Sequence, residues 1–209
     1  LSLSSEELRS VVNEAGAMIP QRHQRMLLSI LDLEKVTVED IMVPRNEIVG
    51  IDIEDDWEAI EDLLVHSQFT KLPVYRNSID NVIGILYLRN VVHLMSREEF
   101  TREDILAIVR EPYFIPEGTP LNTQLINFQR AKRRIGLVVD EYGEIMGLAT
   151  LEDILEEIVG EFTTGPSDIS RDIHPQEDGS YLVDGGTHIR DLNRLLKWDL
   201  PTTGPKTLN

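Results

Sequence analysis

The sequence predicts an α/β protein in which one strand–helix–strand–strand–helix unit occurs twice. Two observations carry that prediction. VIGILYLRNVV (Val82 to Val92) can be laid over IMGLATLEDIL (Ile145 to Leu155), with Gly84 on Gly147, Leu88 on Leu151 and Asn90 on Asp153, a spacing of 63 residues. Self-similarity at a fixed period marks a repeated supersecondary unit, and this period is too long for a solenoid and too short for a full domain. The two copies therefore form a pseudo-symmetric pair. The second observation is a helix signature: Leu151, Ile154, Leu155, Ile158, Val159 and Phe162 share one face and five acids take the other.

Each element follows from local pattern. Ile48 to Ile53 is a short extended run, after which Asp55 and Asp56 can cap a helix carrying Trp57, Ile60, Leu63 and Leu64 at helical spacing. Lys71 to Tyr75 and Val82 to Leu88 read as strands joined by the turn-forming RNSIDN. In the second copy Thr119 and Pro120 open a helix striped by Leu121, Leu125 and Phe128, and RIGLVV (Arg134 to Val139) parallels KLPVY. Upstream of the copies, IMVPRNEIVGI and IVREPYFIP each place a proline just before an extended apolar segment. Residues 1–35 read as two helices, the first with a Ser4/Glu7 capping box and the second opened by Pro20 and running to Leu33. After Phe162 a polar stretch reads as linker, followed by a strand and turn in YLVDGG and a helix in THIRDLNRLLKW.

Composition narrows the function. The 209 residues carry 37 acids against 20 Lys and Arg, a formal charge of −17 and a pI near 4.6. Binding to a nucleic-acid backbone needs clustered positive charge, so that class is not expected. An apolar share of 41% supports a real core. With no cysteine there are no disulfides, thiolate metal sites or cysteine nucleophiles. The longest apolar run, Val82 to Leu88, is far short of the roughly twenty residues a spanning helix needs. The chain starts at Leu1 and is expected to be a piece of a longer protein.

GLATLED (Gly147 to Asp153) is the most informative local feature. A strand runs into a helix whose first turn holds Thr150 and Asp153. A helix N-terminus attracts phosphate, the Thr150 hydroxyl can donate to it, and Asp153 can accept from ribose hydroxyls. Thr-x-x-Asp is also an ordinary N-terminal capping arrangement, and the two readings are compatible. The acids of LEDILEEIVGE and the five scattered histidines read as solvated surface and structural residues, so no protein metal site is expected. No Gly-x-Ser-x-Gly, P-loop or Gly-x-Gly-x-x-Gly is present, so no enzyme is expected.

With its repeat and its Gly-h-x-Thr-x-x-Asp motif the sequence resembles the CBS-domain pair, two β-α-β-β-α repeats packed about a pseudo-twofold axis. IMVPRNEIVGID, TKLPVY, GLVVDEYGEIMGLATLEDILEEIVGEF and DGGTHIRDLNRLLKWDLP are similar to the CorB/CorC (HlyC/CorC) magnesium and cobalt efflux group, relatives of the CNNM transporters. The resemblance covers about residues 36–209. It implies a helical connector from a membrane domain in 1–35, repeats in 36–98 and 99–162, a linker in 163–180, and in 181–209 the beginning of an α+β CorC/HlyC domain.

The resemblance also implies a site and a role. Thr150 would bind phosphate, Asp153 ribose and Leu148 the base, completed from the first repeat by Arg45, Phe69, Thr70, Lys71 and Pro73. The mirror position holds Tyr87 and Asn90, a degenerate second site, so one nucleotide per chain is expected. Lys132, Arg133 and Arg134 face that second position but also suit a helix C-terminus. The ligand expected is ATP, ADP or AMP with Mg2+. The family's flavin label for the C-terminal domain has no phosphate-cradling glycine motif behind it in 165–209. The implied role is regulatory, in a homodimeric multi-pass protein whose CBS part lies on the cytoplasmic face of the inner membrane. The alternative is a dimerisation module with a vestigial site.

Overall fold

A computed structural model of the chain describes residues 4–95, 100–160, 173–176, 178, 180–185, 187, 189–196, 198, 200 and 201. Two compact units divide it, Leu1–Ile158 and Val159–Asn209.

The first unit holds two sheets of matching design. In repeat 1, β2 (Ile51–Asp52) runs parallel to β3 (Lys71–Arg76), which pairs antiparallel with β4 (Ser78–Tyr87). In repeat 2, β5 (Phe114–Pro116) runs parallel to β6 (Ile135–Val139), which pairs antiparallel with β7 (Ile145–Thr150). A parallel pair needs a crossover, and α3 (Trp57–His66) and α6 (Leu121–Ala131) supply it. A helix leaves the end of each third strand, α4 (Leu88–Met95) after Tyr87 and α7 (Leu151–Val159) after Thr150. The β-α-β-β-α order is therefore present in both copies. The RNSIDN turn is tighter than its sequence predicts. β4 begins at Ser78, and Asn77 alone turns the chain at φ 59°, a left-handed conformation that asparagine tolerates.

Strand alternation sorts the apolar side chains into three cores. In β6, Ile135, Leu137 and Val139 face one way and Val138 the other. The first set joins Ile85, Val82 and Tyr87 of β4 and Ile145 and Leu148 of β7, so this core is the contact between the two sheets. Leu72, Val74 and Leu86 face the repeat 1 helices with Ile60, Leu64 and Val91. Val138 and Ala149 face Phe128, Leu121 and Ile154 in repeat 2.

Each repeat is completed by chain that precedes the other. β1 (Val43–Pro44) pairs antiparallel with β7, Val43 opposite Leu148, which extends the repeat 2 sheet to the order β1-β7-β6-β5. Equivalently, α5 (Arg102–Ile108) buries Ile105 in the repeat 1 core, and Arg110 exchanges two backbone hydrogen bonds with Ile85, at 2.8 and 2.9 Å. The crossing extends further upstream. Val38 N–H donates to the Thr119 carbonyl, Leu121 N–H to Val36 and Asn122 N–H to Leu33, and Leu33 and Val38 are buried in the repeat 2 core. Residues 33–44 thus pack as part of repeat 2, although they precede repeat 1. The N-terminal segment forms α1 (Ser5–Glu14) and α2 (Gln21–Asp32), with the Ser4/Glu7 box in place and Arg9 paired to Asp32.

In the second unit β8 (Ile173–Pro175) pairs antiparallel with β9 (Tyr181–Val183), followed by α8 (Ile189–Leu196). β8 falls inside the stretch read as linker. Its single strong apolar residue, Ile173, is buried, and one apolar residue among polar neighbours leaves no periodic signal. Phe162 lies outside the described residues.

Glycine permits both crossings. A Cβ on Gly147 would stand 2.5 Å from the Val43 carbonyl oxygen and one on Gly84 would stand 2.6 Å from that of Arg110. Gly147→Ala and Gly84→Ala are each expected to lower stability by about 1–3 kcal/mol in urea unfolding, the range for overpacking against an element that cannot shift freely. Gly118→Ala, where a Cβ meets nothing within 4 Å, is the control and should leave the midpoint nearly unchanged.

Candidate functional site

The two-sheet contact opens at one end into a cleft of about 1150 Å3, bounded by the starts of β3 and β6 and the ends of β4 and β7. Residues of both repeats line it: Phe69, Thr70 and Lys71 with Tyr87 and Arg89 from the first, and Lys132, Arg133, Arg134 and Glu152 from the second. Arg110 joins them from the crossing segment. Six cations therefore meet one carboxylate in the lining of a chain whose net charge is −17.

That carboxylate is placed by α7. Glu152 accepts from the Lys71 ammonium at 3.1 Å and lies 3.9 Å from Arg134, so it links the two repeats across the cleft. The Lys71 side chain is mostly covered, 14% exposed. Across the β3–β4 ladder from Lys71, the Tyr87 ring lies 4.9 Å from the Arg110 guanidinium and 5.8 Å from that of Arg89, a cation–π arrangement.

Thr150 and Asp153 form a closed capping box on α7. Asp153 accepts from the Thr150 N–H and hydroxyl, each at 2.7 Å, and its own N–H donates to Thr150 Oγ1 at 3.2 Å. Burial pushes the Asp153 carboxyl up from its ordinary range; the Thr150 hydrogen bonds and the nearby Lys71 charge oppose that, while Glu152 adds to it. Thr37/Asp40 and Thr101/Asp104 form the same kind of box elsewhere in the fold. The box is thus no mark of a ligand by itself. What sets Thr150 and Asp153 apart is that Leu151 and Glu152, between them, line the cleft.

The structure gathers some expected site residues and separates others. Phe69, Thr70, Lys71 and Tyr87 line the cleft, whereas Thr150 and Asp153 do not line it themselves and only flank Leu151 and Glu152, which do. Leu148 is 9% exposed and packs in the core between the sheets with Tyr87. Pro73 is buried in β3 opposite Ile85, and Asn90 sits in the first turn of α4; neither lines the cleft. Arg45 is held elsewhere. β1 runs antiparallel to β7, so Arg45 falls beside the start of β7, five residues or roughly 16 Å along the strand from Thr150. There it makes a two-pronged bond to Asp80, 2.5 Å on each side, and donates to the Ile145 carbonyl at 3.0 Å. The direction of β1 decides this, and proline-rich sequence carries no record of strand direction.

Sequence reasoning passed over Arg89 and Arg110 and read Lys132 to Arg134 chiefly as a helix end. Lys132 does end α6, at φ 52°, and all three line the cleft as well. The 63-residue spacing held a usable signal, because it lays Lys71 on Arg134 and Arg89 on Glu152. No such signal existed for Arg110, which reaches the cleft only through the crossing of the chain.

Two stretches, residues 38–97 and 101–160, match the CBS domain family, and residues 174–209 match the CorC_HlyC transporter associated domain. The fold and its interrepeat cleft are those of a CBS-domain pair. A CBS-domain pair of Klebsiella pneumoniae with bound AMP is 59% identical, with a TM-score of 0.57, covering 60% of this chain and 99% of that one. The CBS domain of a bacterial CNNM/CorC family Mg2+ transporter in complex with ATP is 38% identical, with a TM-score of 0.62, covering 68% of this chain and 99% of that one. The UPF0053 inner membrane protein YfjD of Escherichia coli K12 is 53% identical over 100% of this chain and 49% of its own length. The chain belongs to the UPF0053/CorC family of CBS-domain proteins, and it spans about half the length of the curated relatives it matches. Among the described residues no helix is long and apolar enough to cross a membrane.

Two local predictions follow from the geometry. Thr150→Val removes the box and is expected to cost about 1 kcal/mol in urea unfolding, as loss of an N-cap does. Arg45 holds the Asp80 carboxyl down at about 2. A folded pKa below the unfolded one stabilises above the unfolded value and loses that contribution as pH falls through the folded one. Asp80→Asn should therefore lower stability at pH 7 by no more than about 1 kcal/mol, since the pair is over 40% exposed, with the gap closing between about pH 4 and pH 2.

Proposed function

We propose that the chain is a regulatory module that binds an adenosine nucleotide and passes the result to the membrane domain of an Mg2+ or Co2+ efflux protein. The observation that carries this reading is the concentration of cations in one interrepeat cleft of an acidic chain, beside the Thr150/Asp153 box. A polyphosphate is the ligand class such a cleft favours, because guanidinium and ammonium groups hold phosphate oxygens through charge-assisted hydrogen bonds. The nucleotides named with the two related CBS structures, AMP and ATP, support adenosine as the base.

In this reading Thr150 turns its hydroxyl from Asp153 to phosphate, and Asp153 turns to the ribose hydroxyls. Thr70 and Lys71 complete the phosphate side, Phe69 borders it, and Leu148 with Pro73 lies behind the base. Arg45, about 16 Å along the strand and paired with Asp80, stays outside this arrangement. Glu152 holds Lys71 in the free protein, so a polyphosphate has to take over that partner. Among the described residues no three acidic or histidine side chains cluster as metal ligands. Mg2+ is therefore read as arriving on the phosphates, where it offsets the repulsion between them and Glu152.

The role is regulation and not catalysis: ligand binding selects one arrangement of the repeats, by no more than its difference in affinity for the two. The inner-membrane relative of twice the length supports a membrane domain as partner, and a location on the cytoplasmic face of that membrane belongs to the same proposal. The α2 end and residues 33–44, hydrogen-bonded to repeat 2, are the direct route for that bias. A homodimer belongs to the same proposal, read by mass measurement with and without ATP.

The test is calorimetric titration of this chain with ATP, with and without MgCl2. Saturable binding at one site, stronger with Mg2+ and weakened at least tenfold in both Thr150→Ile and Asp153→Ala, is the expected result. Equal affinity with and without Mg2+ would remove the metal from the reading, and no binding under either condition would leave a dimerisation module.

A further inference from the structure

The two halves of the cleft are related by the repeat, yet their charges differ, and the single lining carboxylate, Glu152, serves Lys71 at 3.1 Å and Arg134 at 3.9 Å. In the repeat 2 half the cross-repeat pair is Lys71 with Glu152, a closed ion pair at 3.1 Å. The 63-residue spacing turns that pair into Arg134 with Arg89, two cations at equivalent positions. Arg110 adds a third charge at the Tyr87 ring, and Lys132 lines the same cleft. Among the described residues Arg89, Arg110 and Lys132 have no carboxylate within ion-pairing distance, although acids outnumber Lys and Arg by 37 to 20 over the chain. Arg133 is turned to a backbone carbonyl, that of Glu111, at 3.1 Å. Tyr87 stands where the second copy has Thr150 and makes no box with Asn90, so the features that would hold a ribose are missing while the positive charge is concentrated.

We infer that the part of the cleft at Tyr87, where Arg89 and Arg110 stand over the ring and Lys132 and Arg134 line the same space, is a second anion subsite that takes a short chain of phosphates and no nucleoside. Like charges held around one opening repel one another, and a multivalent anion relieves that repulsion while accepting from several guanidinium forks at once. A single monovalent anion satisfies too few donors to hold against salt. The free volume, about 1150 Å3, exceeds the range of a typical small-ligand pocket, so a ligand beside the Thr150/Asp153 box leaves room for this one. The inference rests on the cleft as an anion site and is independent of adenosine.

Sodium tripolyphosphate is the probe, titrated calorimetrically into this chain near physiological ionic strength without nucleotide. Saturable binding is expected, weakened at least tenfold by Arg89→Glu and by Arg110→Ala, and changed less than about twofold by Gly118→Ala, a substitution outside the cleft. Both arginines are exposed, and unchanged urea midpoints for the two variants would establish that the loss is local. A repeat titration at saturating MgATP separates the sources. Further binding of tripolyphosphate means an independent ligand, whereas blocked binding that Arg89→Glu weakens for MgATP as well means that the nucleotide's own phosphate tail fills the subsite. Absence of saturable binding, or binding indifferent to Arg89→Glu and Arg110→Ala, overturns the subsite. Failure of ATP binding with tripolyphosphate binding intact overturns only the nucleotide reading.

Discussion

The close approach of backbone to backbone over Gly84 and Gly147 is the constraint on which the rest of this structure depends. Each glycine lets a strand-end segment from before the opposite repeat lie directly on the third strand, Arg110 over Gly84 and Val43 over Gly147. Neither repeat has a complete sheet or core from its own residues. Ile105 fills repeat 1, and Leu33 with Val38 fills repeat 2, in each case from upstream chain. The consequence is a pair that behaves as one unit, since separating the repeats would open two cores and expose the sheet-to-sheet contact as well.

That interlocking also builds the cleft. Two antiparallel hairpins face each other through Ile85, Leu137 and Leu148, and beyond this core the ends of β4 and β7 diverge. Side chains from both repeats then converge on one space. The chain as a whole is strongly acidic, so like charges could gather here only by placement. Glu152 neutralises one side and Arg89 stands in its place on the other. Pseudo-symmetry of backbone has thus been kept while symmetry of charge has been broken, and one fold offers two different environments to an anion.

The same geometry ties the cleft to the N-terminal helices. Residues 33–44 form part of repeat 2, carry the Thr37/Asp40 box, and lead back into α2. A shift of repeat 2 against repeat 1 must therefore move the end of α2. It is the physical link that the proposed regulatory reading uses, because a ligand bridging the repeats favours whichever spacing gives it the better contacts.

Much of this was legible in the sequence. The repeat at 63 residues, the amphipathic faces of α6 and α7, the Ser4/Glu7 box and the α/β class all rest on local periodicity, which tertiary structure had no reason to override. That Phe69, Thr70 and Lys71 of the first repeat meet the start of α7 in one cleft was legible from the repeat combined with a family resemblance, whereas Tyr87, assigned to a separate mirror position, lines the same cleft. What the sequence by itself determined was the strand–helix–strand–strand–helix order of each copy, which follows from near-neighbour patterns, while β1, α5 and β8 are too short to leave a periodic signal. Tertiary structure alone decided which repeat each upstream segment completes, and hence that Arg110 enters the cleft while Arg45 is drawn off to Asp80. Those outcomes depend on contacts between residues scores of positions apart, and the direction in which a two-residue strand crosses a sheet leaves no trace in local sequence.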